Sequence, residues 1–159
     1  MAALLHKLEK EKHLVLGQLL LGSVISVVSI MIGAIMWGIL NEVVGRMDLW
    51  LRRPKYRFIT FVVVLLMVLF CIMTVTSIGV WLWALVFVQM SVFTTWEEAV
   101  YYSLVAYTTL GIGDVVVPQN QRLLGGMTGA NGFFMFGLMT AMLTDIFRHV
   151  GRVQHGMRD

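Results

Sequence analysis

Thr108-Thr109-Leu110-Gly111-Ile112-Gly113-Asp114 is the stretch on which the reading of this chain turns. Two glycines alternating with other residues let successive carbonyl oxygens point to one side of an extended backbone, a geometry that ordinary residues resist. A strand of that kind can coordinate a dehydrated cation. Its setting makes it more than a bare G-x-G, because a short amphipathic segment precedes it and a long apolar helix follows. The preceding segment opens at Thr95-Trp96-Glu97-Glu98, a capping box with two carboxylates in the positive first turn of a helix. That helix can run to about Tyr107, roughly 18 Å long and too short to span a bilayer. The spacing therefore predicts a re-entrant helix that enters and stops, its C-terminal carbonyls directed into the membrane interior where they favour a cation.

Composition sets the class. Of 159 residues, 58% are hydrophobic and only 13% charged, and the mean hydropathy is +0.83, so there is too little polar surface to cover a soluble domain. Windows 14–40, 58–80 and 123–147 are each long enough for a spanning helix. The fold class expected is an all-α membrane protein with three transmembrane helices, one re-entrant helix and one loop. The first window is too long for a signal-peptide core and lacks a small-residue cleavage site, so it reads as retained. Cys71 is the single cysteine, which leaves no intrachain disulfide.

The net charge of +3 does not indicate a nucleic-acid binder, because of where the charges lie. Arg46, Arg52, Arg53, Lys55 and Arg57 cluster between the first two windows, whereas Glu97, Glu98 and Asp114 lie between the second and third. The positive-inside rule makes the first loop cytoplasmic. The tail with Arg148, Arg152 and Arg158 is then cytoplasmic too, and the N-terminus, with Lys7, Lys10 and Lys12 offset by Glu9 and Glu11, lies outside.

Residues 1–13 read either as a short amphipathic surface helix, with Leu4, Leu5 and Leu8 on one side, or as a polar extension of the first span. Gly22, Ser26, Ser29 and Gly33 form a stripe of small residues on one face of that span, a packing surface for the second helix or a neighbouring subunit. In the linker 41–56, Trp50 beside Arg52, Arg53 and Lys55 suits the headgroup level, and Pro54 fits a first helical turn. Unbroken apolarity over 58–93 would make a helix of about 50 Å, longer than the hydrocarbon core. A break at Gly79 is therefore expected, with Trp81 and Trp83 at the outer interface and a hydrophobic turret beyond them.

Residues 108–114 resemble the T-V-G-Y-G-D selectivity filter of potassium channels, with Leu110 for the valine and Ile112 for the tyrosine. Independently, Gly132-Phe133-Phe134-Met135-Phe136-Gly137-Leu138-Met139-Thr140-Ala141-Met142-Leu143 is similar to the inner helix of the pH-gated two-helix bacterial potassium channels. The run Arg122-Leu123-Leu124-Gly125-Gly126 with Ala130-Asn131-Gly132 resembles a branch of small bacterial one-pore-loop channels. The likeness covers about 58–150 and makes the first helix an addition. It implies a homotetramer in a bacterial inner membrane, in contact with lipid, without cofactor, and with potassium ions bound in a filter of Thr109, Leu110, Gly111, Ile112 and Gly113. Thr108, Asp114, Tyr101 and Tyr102 would support the filter. Phe133, Phe136, Thr140 and Thr144 would line the pore, and Gly132 would be the inner-helix hinge. The domains so implied are an N-terminal segment, extra helix and basic linker (1–57), a pore domain (58–150, with pore helix and filter at 95–114) and a short tail (151–159).

Three departures bear on function. Tyr101 and Tyr102 occupy the positions of the family's pore-helix aromatic pair, and their hydroxyls need other partners. Ile112 cannot make the hydroxyl bond by which the family's tyrosine braces the filter, and Val105 stands where the pH-gated relatives have a buried carboxylate near the filter aspartate. The sequence reading is therefore a passive potassium channel, with a weakly selective cation channel or a non-conducting scaffold or regulatory subunit as alternatives. An enzyme is not indicated, since no nucleophile, base and metal set converges. His149 is a candidate sensor of cytoplasmic pH, and Asp145, His149 and His155 make only a weak metal-site pattern.

Overall fold

The computed structural model describes residues 1–47 and 57–156. Within them the chain is all helix and loop: α1 Ala2–Arg46, α2 Arg57–Gln89, α3 Trp96–Tyr107, a 3-10 turn Gln119–Gln121, and α4 Arg122–His155. Three of these helices, α1, α2 and α4, are long and apolar enough to cross a membrane. Asp48, Trp50, Arg52, Arg53, Pro54, Lys55 and Arg158 lie outside the described residues, as do the side chains of Leu4, Arg57 and His155.

Of the two readings of residues 1–13, the structure has the extension of the first span: α1 runs unbroken from Ala2 to Arg46, since nothing between residues 13 and 14 lacks an amide donor or forces a turn. The expected break at Gly79 is corrected: α2 continues to Gln89 before a turn in which Ser91 takes φ +53°. A glycine inside a helix costs only about 1 kcal/mol, and here it makes room for the Tyr107 side chain, which a Cβ at Gly79 would meet. Of the two tryptophans expected at the interface, Trp81 is exposed and Trp83 fully buried; in the run beyond them Leu85 and Met90 are exposed, while Phe87 is fully buried and stands edge-on to Tyr102 at 5.2 Å between ring centroids.

The described contacts divide into two compact units, residues 1–30 with 78–134 and residues 31–77 with 135–159. The second has a core of residue pairs four apart on three helices: Leu40 and Val44, Val64 and Val68, Ile146 and Val150. That spacing puts each pair on one helical face, and Phe61 stacks on Phe147 at 5.6 Å in the same unit. In the first unit, α1 carries most of the small-residue stripe. Gly22 receives Met127 of α4, and Ser29 meets the hydroxyl of Tyr107. In the second unit, Gly33 of the same stripe lies against Met135 of α4 and Val75 of α2, so the stripe packs on the second helix, as expected, and also on α4 and α3.

Candidate functional site

The site is built outward from α3. Thr95 caps it from an extended conformation, φ −122°, its side chain accepting from the Glu98 amide at 3.2 Å. The Glu98 carboxylate in turn accepts from the Thr94 hydroxyl. The first bond is the one the capping box predicts; in place of the box's reciprocal bond to the Thr95 amide, the carboxylate takes the neighbouring hydroxyl. The helix ends at Tyr107, where the sequence places it.

Beyond Tyr107 the chain curls back on its own helix. Thr109 takes a left-handed φ of +58°, and the amides of Thr109, Leu110 and Gly111 then donate to the carbonyls of Ala106, Val105 and Val105 at 3.0, 3.0 and 3.2 Å. The last helix carbonyls are thus hydrogen-bonded within the chain. Those of Leu104, Val105 and Ala106 are engaged, Leu104 also by the Thr108 hydroxyl at 2.7 Å. The consequence falls one atom further along. In a trans peptide the carbonyl lies opposite the amide hydrogen of the same plane, so three amides turned toward the helix send the carbonyls of Thr108, Thr109 and Leu110 away from it. Gly111 and Gly113 continue at φ +60° and +82°. Left-handed backbone at 109, 111 and 113 alternates with other conformations, and only glycine adopts it freely.

The C-terminal end of the loop is tied back to the same helix. The Tyr101 hydroxyl donates to Asp114 Oδ2 at 2.8 Å, and the Val115 amide donates to Oδ1 at 3.0 Å. The hydroxyl bond is the first cause holding the Asp114 carboxyl below the usual carboxylate range, with the Val115 amide adding to it against some desolvation. The same bond raises the Tyr101 phenol, with desolvation and the carboxylate charge acting in the same direction. A depressed carboxylate contributes in full above its ordinary pKa, and the contribution fades as pH falls from there through the lowered value. In Tyr101→Phe, the Asp114 titration followed by carboxyl carbon NMR should move up toward the ordinary range; an unmoved titration would show that this bond is not made.

Behind the loop, the aromatic and glycine positions interlock. Tyr102 is flanked by Phe87 and Phe93, each at 5.2 Å between ring centroids, and its hydroxyl lies over Gly125. Tyr107 is almost fully buried. Its hydroxyl end lies against Gly79 of α2, and its carbonyl lies on Gly132 of α4 so closely that a Cβ there would stand 2.6 Å from the carbonyl carbon and nearer still to the oxygen. Gly125, Gly129 and Gly132, at i, i+4 and i+7, face Tyr102, Ala106 and Tyr107 respectively. That spacing is a helical face, and it lets two backbones approach as bulkier residues would not.

The structure thus brings Thr108, Thr109, Leu110, Gly111, Ile112, Gly113 and Asp114 together with Tyr101, Tyr102 and Gly132 in the first unit. Leu110, Ile112 and Phe133 expose large apolar side chains there. In the second unit Phe136, Thr140 and Thr144 are exposed, and the two threonine hydroxyls donate to the carbonyls of Phe136 and Thr140 at 2.9 Å. His149 is half-buried in that unit. Among the described residues no group of His, Cys, Asp and Glu is placed to hold a metal ion. Sequence reasoning missed Gln18 and gave Ser29 no partner. An amide and a hydroxyl eleven residues apart on one face of an apolar span were the available signal.

No curated protein and no solved structure matches the chain. A family described as Ion channel matches residues 78–149, from the C-terminal part of α2 through α3, the loop and most of α4. The chain is therefore a membrane protein with three span-length helices, in which residues 78–149 carry the sequence pattern of an ion-channel family.

Proposed function

We propose that this chain is one subunit of a homotetrameric, passively conducting potassium channel, with α3 as the pore helix and residues 109–113 as the selectivity filter. The observation that carries the reading is the row of carbonyls at Thr108, Thr109 and Leu110, turned from α3 by the amides that bond back to it, and prolonged by left-handed Gly111 and Gly113. Rings of backbone carbonyls can replace the hydration shell of a potassium ion. Four copies around an axis supply such rings, with the Thr109 hydroxyl at the innermost site, and the exposed apolar side chains of Leu110, Ile112 and Phe133 gain neighbours. In this reading Phe136, Thr140 and Thr144 line the inner pore, and the loop opens outside a bacterial inner membrane. The C-terminus is then cytoplasmic and the N-terminus external. His149 would sense cytoplasmic pH among the charged groups of its unit, Glu42, Arg46, Asp145, Arg148 and Arg152.

The test is cation flux through the purified protein in liposomes, comparing potassium with sodium at several internal pH values. Potassium-preferring flux supports the proposal, and correctly assembled tetramers without flux overturn it. Acid-stimulated flux that persists unchanged in His149→Ala removes that residue as sensor. Ile112 favours one second reading, a weakly selective cation channel, because it carries no hydroxyl to brace the filter. Ile112→Tyr should then raise potassium over sodium selectivity by at most a few kcal/mol, the scale of one or two hydrogen bonds. Equal reversal potentials in the two proteins would show that Ile112 is not the weak point.

A further inference from the structure

We propose that α1 is a positioning helix for the loop, tethering both of its ends through Gln18 and Ser29 and so setting ion selectivity from outside the residues that match the ion-channel family. The inference rests on the channel reading and assigns α1 a part in it. Two polar side chains of α1 are buried within its span, Gln18 and Ser29. A polar group held in an apolar span is costly unless it has a partner. Gln18 Nε2 and Ser29 Oγ find theirs on the segment that carries the loop, while Gln18 Oε1 is buried without one. Gln18 Nε2 donates to the carbonyl of Asn120, in the 3-10 turn where the loop hands over to α4. Ser29 Oγ lies 3.5 Å from the hydroxyl of Tyr107, the residue from which the loop departs.

The geometry of α1 suits a strut. Residues 18, 22 and 29 share a face, and eleven residues of helix span about 16 Å. Between the two tethers Gly22 seats the Met127 side chain of α4, so the contact is continuous along that face. Tyr107 is consequently held by three helices at once: Ser29 of α1 and Gly79 of α2 at its hydroxyl end, and Gly132 of α4 at its carbonyl. The next residues are those whose amides set the carbonyl row. A shift of the Tyr107 ring therefore reaches the loop through a single peptide bond, and a shift of Asn120 reaches it from the other end.

The experiment compares variants of like shape in the full chain. Ser29→Thr keeps a hydroxyl where Ser29→Val does not, Gln18→Leu removes the amide, and Val27→Ala, on the exposed face of α1, is the control. Potassium over sodium permeability in liposomes should fall about two- to tenfold in Ser29→Val and in Gln18→Leu, the range that the net worth of one hydrogen bond supports. Ser29→Thr and Val27→Ala should keep the wild-type ratio. Combining Ser29→Val with Tyr107→Phe should add nothing to Ser29→Val alone, since both remove the same contact. Assembled variants with the wild-type ratio overturn the proposal. So does loss of assembly confined to Ser29→Val and Gln18→Leu, which would make these residues structural only. A wild type without flux refutes the channel reading instead; amide hydrogen exchange at 108–121 then reads the tethers directly, with faster exchange expected in both variants and unchanged exchange overturning the proposal.

Discussion

Gly111→Ala should leave the chain folded and assembled while abolishing potassium flux. A Cβ at this position meets nothing within 4 Å, so no clash opposes the substitution inside one chain. The difficulty lies in the backbone, because Gly111 holds φ +60°, where an L-residue pays about 1–2 kcal/mol. One such cost is tolerable. In the proposed tetramer four copies would cost roughly 4–8 kcal/mol at a single level of the pore, and rotation of the peptide out of the left-handed region relieves it. That rotation turns a carbonyl away from the row. Size-exclusion profile and thermal stability should therefore match the wild type while liposome flux disappears, and wild-type flux in the variant would refute the filter assignment.

Gly132→Ala is expected to act in the opposite way, by preventing the native packing. The added Cβ would overlap the Tyr107 carbonyl, which is backbone at the end of α3 and cannot rotate aside as a side chain would. Overpacking of this kind costs roughly 3 kcal/mol or more. A hinge glycine would behave differently, because alanine fits a straight helix and would alter opening while leaving the protein intact. Gly126 supplies the internal comparison: it is exposed, with nothing within 4 Å of a Cβ, so Gly126→Ala should stabilise by up to about 1 kcal/mol through helix propensity alone. Thermal unfolding and tetramer yield in detergent decide the matter. A normally folded Gly132→Ala would remove the packing argument and favour the hinge.

What the residues could announce by themselves was local. The three span-length helices follow from runs of apolar side chains, and the start of α3 follows from Thr95 and Glu98, three residues apart and bonded as their chemistry requires. Its end at Tyr107 and the glycine conformations at 111 and 113 lie within the same few residues of chain. Tertiary structure decided the rest, because the deciding partners are distant in sequence. Gly79 looks like a break until Tyr107 fills the space beside it, and the close approach of the same residue's carbonyl to Gly132 cannot be read from the residues around Gly132. The tethers from Ser29 and Gln18 reach across 78 and 102 residues. A helical period specifies which face a side chain occupies, but only packing chooses what stands opposite, since the free energy of a close contact depends on both surfaces.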